Sequence, residues 1–257
     1  MSFLTWENDQ LVSIASIERP PANALASQLI EEIDQWLTAV EHDPEVRSLL
    51  IHGKGRFFSA GADIKEFTQI EDGAAFSELA RRGQWVFERM ESFSKPIIAS
   101  IHGAALGGGL ELAMGCHIRY VSETAKLGLP ELQLGLVPGF AGSQRLPRFV
   151  GFAKAAEMLL TSEPISGIEA VRWGLANQAF PEEEVFEKSK ALALKLAQKS
   201  PISVKAALDL LQYAKTADFE EGVQKEADWF GEVFVSKDAK EGIDAFIQKR
   251  SPVFKGE

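Results

Sequence analysis

Residues 95–116 read KPIIASIHGAALGGGLELAMGC, and the fold depends on the transition within this stretch. The apolar residues 96–102 are typical of a buried strand, and the apolar run from Leu110 onward favours a helix. Three consecutive glycines, residues 107–109, lie at the transition and let a ligand or another backbone segment approach closely. A helix that begins there directs free N–H groups and the positive end of its dipole outward.

The segments on either side continue this alternation of strand and helix. Strands are predicted at residues 11–17, 48–52 and 118–122, and helices at residues 25–40 and 76–93. From about residue 152 the pattern is almost wholly helical, with a capping-box spacing at Ser166 and Glu169 and a helix start at Ser200-Pro201. We therefore predict an α/β core over residues 1–195 and a helical C-terminal region over residues 196–257.

Composition and charge narrow the class of protein. The 257 residues are 46% hydrophobic and 25% charged, as in an ordinary globular protein, and the net charge of −10 argues against nucleic-acid binding. Neither a secretory signal pattern nor an apolar run of membrane-spanning length is present, and a single cysteine, Cys116, allows no intrachain disulfide. We expect a cytoplasmic protein without membrane association, and the four histidines lack metal-ligand spacing.

Two glutamates are candidates for acid/base chemistry. Glu111 follows the glycines directly, and Glu131 stands between apolar neighbours in LGLPELQLGLVPG. The glycine turn could form an oxyanion hole, or it could serve only the packing of strand against helix. Burial would raise the pKa of Glu131, whereas a solvated loop position would leave it an ordinary carboxylate.

A third segment, GRFFSAGADIKE over residues 55–66, follows another predicted strand. Its small residues expose backbone, which is typical of a turn and also of a ligand site. Together, FFSAGADIKEF, KPIIASIHGAALGGGLELAMGC and LGLPELQLGLVPGFAGSQRLPR closely resemble the enoyl-CoA hydratase/isomerase, or crotonase, family in order and spacing. The resemblance covers essentially the whole chain. It implies a crotonase-like spiral of ββα turns, with C-terminal helices that build homotrimers, usually stacked as hexamers.

The resemblance also implies roles for individual residues. The N–H groups of Ala62 and Gly108 correspond to the oxyanion hole, and Glu111 and Glu131 to the acid/base pair. Gly139 corresponds to a position whose backbone seats the catalytic water. The implied contacts to substrate and CoA are Ala22, Ala60, Ala62, Asp63, Ile64, Lys65, Gly108, Phe246 and Lys249, of which Phe246 and Lys249 would reach the CoA of a neighbouring subunit.

The glutamate pair favours one reaction within the family. Family hydratases keep both glutamates and simple isomerases typically one, so we expect hydration of 2-trans-enoyl-CoA, with CoA as part of the substrate and no separate cofactor. The alternatives are a methylglutaconyl-type hydratase, a Δ3-Δ2 isomerase, or a non-catalytic acyl-CoA or RNA-binding member. Phe140 and Ala141 stand where the family often has smaller residues, which leaves the preferred acyl chain length open.

Overall fold

The computed structural model of the chain describes residues 2–67, 73–216 and 219–257. The strands are β1 (Leu4–Asp9), β2 (Val12–Ile17), β3 (Ser48–Gly53), β4 (Ile97–Ile101), β5 (Ala104–Leu106), β6 (Ile118–Ser122), β7 (Lys126–Gly128), β8 (Ile165–Ser166) and β9 (Gln178–Phe180). The helices are α1 (Ser27–Glu41), α2 (Ile64–Phe67), α3 (Gly73–Glu91), α4 (Gly108–Gly115), α5 (Gly142–Thr161), α6 (Gly167–Arg172), α7 (Glu182–Ala197), α8 (Pro201–Thr216), α9 (Phe219–Phe234) and α10 (Lys237–Gln248), with a 3₁₀ turn at Glu131–Leu134.

Successive turns of the chain form a spiral. A large sheet has the strand order β1-β2-β3-β4-β6-β9, in which β1 is antiparallel to β2 and the other neighbours are parallel. A smaller sheet has the order β5-β7-β8, and the parallel bridges Leu25–Ala62 and Ser59–Ala105 extend its ladder to earlier turns. Each turn therefore gives a strand to the large sheet, a short segment to the second ladder, and a helix. The short segments that precede the helices therefore lie side by side in the second ladder.

Consecutive apolar residues in β3 are buried on both faces of the large sheet. Leu49 and Ile51 pack into the main core with helices α1, α3 and α4, while Leu50 joins the cluster beneath α7. A strand covered on both faces takes apolar side chains at consecutive positions, which explains why Leu49, Leu50 and Ile51 do not alternate with polar residues. The core thus fixes the large sheet from two sides and holds the start of α4 in a defined place.

Most predicted elements are confirmed, with shifted ends. Strand 118–122 coincides with β6, and the capping box of Ser166 and Glu169 is present at the start of α6. The sequence pattern missed β1, an edge strand whose residues are mostly exposed. It also missed β5, β7, β8 and β9, because strands of two and three residues are too short to give a periodic signal.

The C-terminal helices differ from the core in their burial. No residue of α9 is buried in this chain, and Phe230 and Phe234 are 73% and 61% exposed. Within the described part of the chain, no helix has both the length and the apolar character needed to cross a bilayer.

Candidate active site

The glycine turn between β5 and α4 serves both packing and ligand access. Gly107 has φ +50° and ψ −127°, a conformation that side chains disfavour, and its N–H donates to the Gly128 carbonyl at 2.9 Å. At Gly109, an added Cβ would stand 2.3 Å from the Ser59 carbonyl oxygen. Packing therefore requires glycine at 109, whereas the turn at 107 sets the direction of the peptide that begins the helix.

Two backbone N–H groups remain available beside this turn. The N–H of Leu25 donates to the Gly61 carbonyl, and the Leu25 carbonyl accepts from the Asp63 N–H. Successive N–H groups along an extended segment point to opposite sides, so the N–H of Ala62 points away from Leu25. Gly108 is the first residue of α4, and the helix offers its N–H no partner. In the described ranges, neither N–H has an acceptor, and both residues line one pocket.

Glu111 lies in the first turn of α4 and is 1% exposed. Its Oε1 accepts hydrogen bonds from the N–H groups of Phe140, at 2.8 Å, and Gly142, at 2.7 Å. Burial and the charge of Glu131 raise its pKa to about 7, against the lowering effect of these two N–H groups and of Arg145. The carboxyl group is thus fixed in place and able to exchange a proton near neutral pH.

Glu131 begins the 3₁₀ turn and is held less completely. Its Oε1 lies 2.9 Å from where a Cβ on Gly107 would stand, which places the carboxyl group against the glycine turn. Its Oε2 is buried and has no hydrogen-bond partner in the described structure. Burial raises the pKa of Glu131 above its ordinary value, which favours the protonated form.

The two glutamates and the two N–H groups share a pocket with a volume of about 200 Å³. Its wall is mainly apolar. It is lined by Ala60, Gly61, Ala62, Ile64, Leu79, Ala80, Gly107, Gly108, Glu111, Pro130, Glu131, Leu134, Leu136, Val137, Gly139 and Phe140. Gly139 thus belongs to the pocket, and its carbonyl accepts from the Gln84 side chain at 2.8 Å.

The two departures from the family pattern lie beside Gly139. Phe140 is buried in the pocket wall and meets Phe87 edge to face, with ring centroids 5.5 Å apart. A Cβ on Gly83 would stand 2.4 Å from the Phe140 ring, so the absence of a side chain there makes room for the ring. Ala141 adopts the left-handed conformation, φ +69°, in which glycine is unstrained.

The residues expected to contact CoA fall into two groups. Ala60, Ala62 and Ile64 line the pocket, and the carbonyl of Ala22 accepts from the Ala60 N–H at 2.9 Å. Asp63 forms an ion pair with Arg19 beneath the same segment.

Lys65 and the two C-terminal residues stand apart from these. The side chain of Lys65 lies outside the described structure. Phe246, on α10, is 84% exposed, and Lys249 caps the C-terminus of that helix with φ +55°. Neither lines the pocket of its own chain. Their proposed reach to a neighbouring subunit stays a prediction.

Other pocket residues were not identified from the sequence. Leu79 and Ala80 of α3 lie in the stretch 66–85, where the family resemblance gives no clear alignment, and residues 68–72 lie outside the described structure. Gly142, whose N–H donates to Glu111, stands within the motif GFAGSQR. The family motif therefore contained this residue, whereas the hydrophobic periodicity did not indicate it. Among the described residues, no group of three or more His, Cys, Asp or Glu side chains could hold a metal ion.

Comparison with known proteins identifies the family of this chain. The family model described as enoyl-CoA hydratase/isomerase matches residues 7–257. A probable enoyl-CoA hydratase of Bacillus subtilis is 58% identical, with 100% of both chains covered. A short-chain-enoyl-CoA hydratase of Clostridium acetobutylicum is 38% identical over 95% of this chain and 94% of the relative. The crystal structure of an enoyl-CoA hydratase from Bacillus anthracis is 34% identical, has a TM-score of 0.95 and covers 100% of both chains.

Proposed function

This chain belongs to the enoyl-CoA hydratase/isomerase family, and we propose that it is an enoyl-CoA hydratase that adds water reversibly, in the syn sense, to 2-trans-enoyl-CoA thioesters. The product is a 3-hydroxyacyl-CoA. The observation that carries the proposal is the pairing of Glu111 and Glu131 in one pocket with the available N–H groups of Ala62 and Gly108. We place the reaction in fatty-acid β-oxidation or a related acyl-CoA catabolism.

The oxyanion hole activates the thioester. The N–H groups of Ala62 and Gly108 donate to the thioester oxygen and stabilise the negative charge that develops as the enolate forms. The Gly108 N–H is also at the positive end of the α4 dipole. Fixed donors of this kind need no reorganisation during the reaction, so each contributes on the order of 100- to 1,000-fold to the rate.

The two glutamates divide the proton transfers. The Glu111 carboxylate takes a proton from water, the water oxygen bonds to the β-carbon, and the double-bond electrons pass to the thioester oxygen. Glu131 delivers a proton to the α-carbon, which returns the enolate to a thioester. Two backbone N–H groups hold the Glu111 carboxyl group in place and stabilise its ionised form, whereas Oε2 of Glu131 has no hydrogen-bond partner among the described residues and can meet the substrate, and this difference supports the assignment. The two groups titrate as a coupled pair.

The wall of the pocket supports this chemistry. Gly139 lines the pocket and precedes Phe140 in the chain, and we expect its backbone to help hold the water that Glu111 activates. The scheme uses no metal and no separate cofactor, since CoA is part of the substrate.

We propose that the chain forms a homotrimer, alone or stacked as a hexamer, through its C-terminal region. The exposed side chains of Phe230, Phe234 and Phe246 form an apolar surface that association would cover. Assembly would also bring Phe246 and Lys249 to the CoA of a neighbouring subunit, where Lys249 would offset the chain's net charge of −10 toward the CoA phosphates. We propose a cytoplasmic enzyme that binds neither nucleic acid nor membrane.

Product analysis tests the proposed reaction. The protein is incubated with crotonyl-CoA and, separately, with a 3-enoyl-CoA, and the thioesters are separated and identified. We expect 3-hydroxybutyryl-CoA from crotonyl-CoA and no rapid conversion of the 3-enoyl substrate to its 2-enoyl isomer. Isomerisation without hydration would favour the isomerase. Hydration confined to a branched, carboxylated enoyl-CoA would favour the methylglutaconyl-type hydratase, and binding without conversion would favour a non-catalytic protein.

A further inference from the structure

Arg145 lies behind the catalytic pocket, in the first turn of α5, and its side chain is only 6% exposed. Its Nη1 donates to the carbonyl of Phe140 at 2.9 Å, and its Nε donates to Oε2 of Glu91 at 3.0 Å. The N–H of the same Phe140 donates to Glu111. One residue, Phe140, therefore links the guanidinium group to the carboxyl group of Glu111 through its backbone.

Glu91 secures Arg145 from the other side. It ends α3, and its Oε1 accepts from Nζ of Lys215, on α8, at 2.8 Å. Burial opposes the ionisation of Glu91, but its hydrogen bond to Lys215 and the charge of Arg145 outweigh burial and lower its pKa. A buried guanidinium that is paired in this way holds a fixed position, because its removal would leave Glu91 partly uncompensated.

We propose that Arg145, anchored by Glu91, is a positioning residue that holds the backbone at Phe140 and thereby fixes Glu111 for the activation of water. The inference rests on the proposed hydratase function. Arg145 does not touch the substrate in this scheme, and it acts through hydrogen bonds to main-chain atoms. A shift of a catalytic group by about 1 Å can cost on the order of 100-fold in rate, so the anchor has a measurable role.

The charges around Glu111 predict a pH effect with a definite sign. Glu131 and Arg145 face Glu111, while Glu91 and Lys215 stand behind Arg145. Loss of the Arg145 charge raises the pKa of Glu111, so the acid limb of the kcat profile moves to higher pH. Loss of the Glu91 charge strengthens the effect of Arg145, so that limb moves to lower pH.

Four variants test the proposal with crotonyl-CoA hydration: Arg145→Met, Arg145→Lys, Glu91→Gln and, as a matched control, Arg148→Met. Arg148 is exposed on the same helix. We measure kcat and KM across pH. We expect Arg145→Met to lower kcat by roughly 10- to 100-fold with little change in KM and to move the acid limb upward. Arg145→Lys keeps the charge, so its acid limb stays in place while kcat recovers in part.

Glu91→Gln retains an oxygen acceptor for Arg145, so its kcat stays within a few fold while its acid limb moves downward. Arg148→Met matches the wild type. A folded Arg145→Met protein with wild-type kcat and an unmoved acid limb would overturn the proposal. A shift of the acid limb in the same direction in Arg145→Met and Glu91→Gln would also overturn it, because a general loosening of the structure does not depend on the sign of the charge that is removed. If Arg145→Met does not fold, Arg145→Lys and Glu91→Gln decide the outcome.

A readout without activity separates this inference from the proposed function. The pKa of Glu111 is measured from the pH dependence of the difference in thermal midpoint between each protein and its Glu111→Gln counterpart. An upward shift in Arg145→Met supports the role of Arg145 even if the wild type does not hydrate crotonyl-CoA. An unmoved pKa contradicts it even if the wild type is an active hydratase.

Discussion

The two walls of the pocket hold their glutamates in different ways. Glu111 belongs to α4, in which every residue is buried, and two N–H groups bind one of its oxygens. Glu131 belongs to a 3₁₀ turn with no fully buried residue, next to Leu134 and Val137, which are 59% and 74% exposed. We call these the fixed wall, residues 108–115, and the open wall, residues 131–137.

The difference assigns separate demands to the two carboxyl groups. A group that activates water must hold one position, and the fixed wall supplies it through backbone donors. A group that gives its proton to the substrate needs an atom that no protein group occupies, and Oε2 of Glu131 is buried without a partner among the described residues. The predictions below disturb the support of Glu111 in the fixed wall, the space between the two walls, or the two glutamates themselves.

Among substitutions that leave both glutamates in place, Gly142→Ala should have the largest effect, because it breaks the fixed wall directly. The new Cβ would stand 2.8 Å from Oε1 of Glu111, so the carboxyl group must move away from its two N–H donors. We expect kcat for crotonyl-CoA to fall by about 100-fold. The matched control is Gly231→Ala, on exposed α9, where an added Cβ meets no atom within 4 Å. Equal activity of the two variants would show that the fixed wall does not require this geometry.

Glu111→Gln should increase stability at alkaline pH. The folded protein raises the pKa of Glu111 from 4.5 to about 7, so the folded state binds its proton more tightly than the unfolded state. Its contribution to the free energy of unfolding is full below about pH 4.5 and is lost as pH rises through 7. Glutamine does not titrate and can still accept from both N–H groups.

We therefore expect Glu111→Gln to exceed the wild type by about 1–3 kcal/mol at pH 8, a rise of several degrees in thermal midpoint, with little difference near pH 5. Thermal unfolding at fixed protein concentration measures this difference. Glu232→Gln, at an exposed position of α9, should leave the thermal midpoint unchanged at both pH values. If the stability difference between Glu111→Gln and the wild type did not grow with pH, burial of the ionised Glu111 carboxylate would carry no cost in the free energy of unfolding.

Phe140→Leu should have the smallest effect, because Phe140 closes the pocket between the walls while its N–H still binds Glu111. The smaller side chain leaves room for a longer acyl chain, at about 0.8 kcal/mol for each buried methylene. We expect kcat/KM for octenoyl-CoA relative to crotonyl-CoA to rise by roughly 10-fold. Phe87→Leu loses the same aromatic contact outside the pocket and should leave this ratio unchanged. A rise in both variants would point to general loosening.

Much of the fold could be predicted because its strands and helices carry strong local patterns. The apolar run in β3 indicated burial on both faces, and the glycines before Glu111 indicated the strand-to-helix turn. The family resemblance then selected Glu111 and Glu131 from the chain's acidic residues. The structure added a distinction that neither the local patterns nor the family resemblance could supply: packing requires glycine at 109, whereas the turn conformation requires glycine at 107.

The support behind Glu111 could not be predicted in the same way. Glu91 and Arg145 are 54 residues apart, and Lys215 is 124 residues from Glu91. Periodicity describes neighbours along one element, so it gives no information on a contact between α3, α5 and α8. Arg145 and Glu91 read in sequence as ordinary charged residues. Only the hydrogen bonds that join Arg145 to Glu91 and to the Phe140 carbonyl indicate a role.

The central claim is that Glu111 and Glu131 act together, and the hydration rate of the two single variants and the double variant tests it most directly. Glu111→Gln, Glu131→Gln and the combination are compared with the wild type on crotonyl-CoA. We predict a loss of roughly 100- to 10,000-fold in kcat for each single variant. The double variant should be scarcely slower than the slower single variant, because the first substitution already removes the catalysis of a pair that acts as a unit. A single variant that retains a rate within a few fold of the wild type would contradict the account.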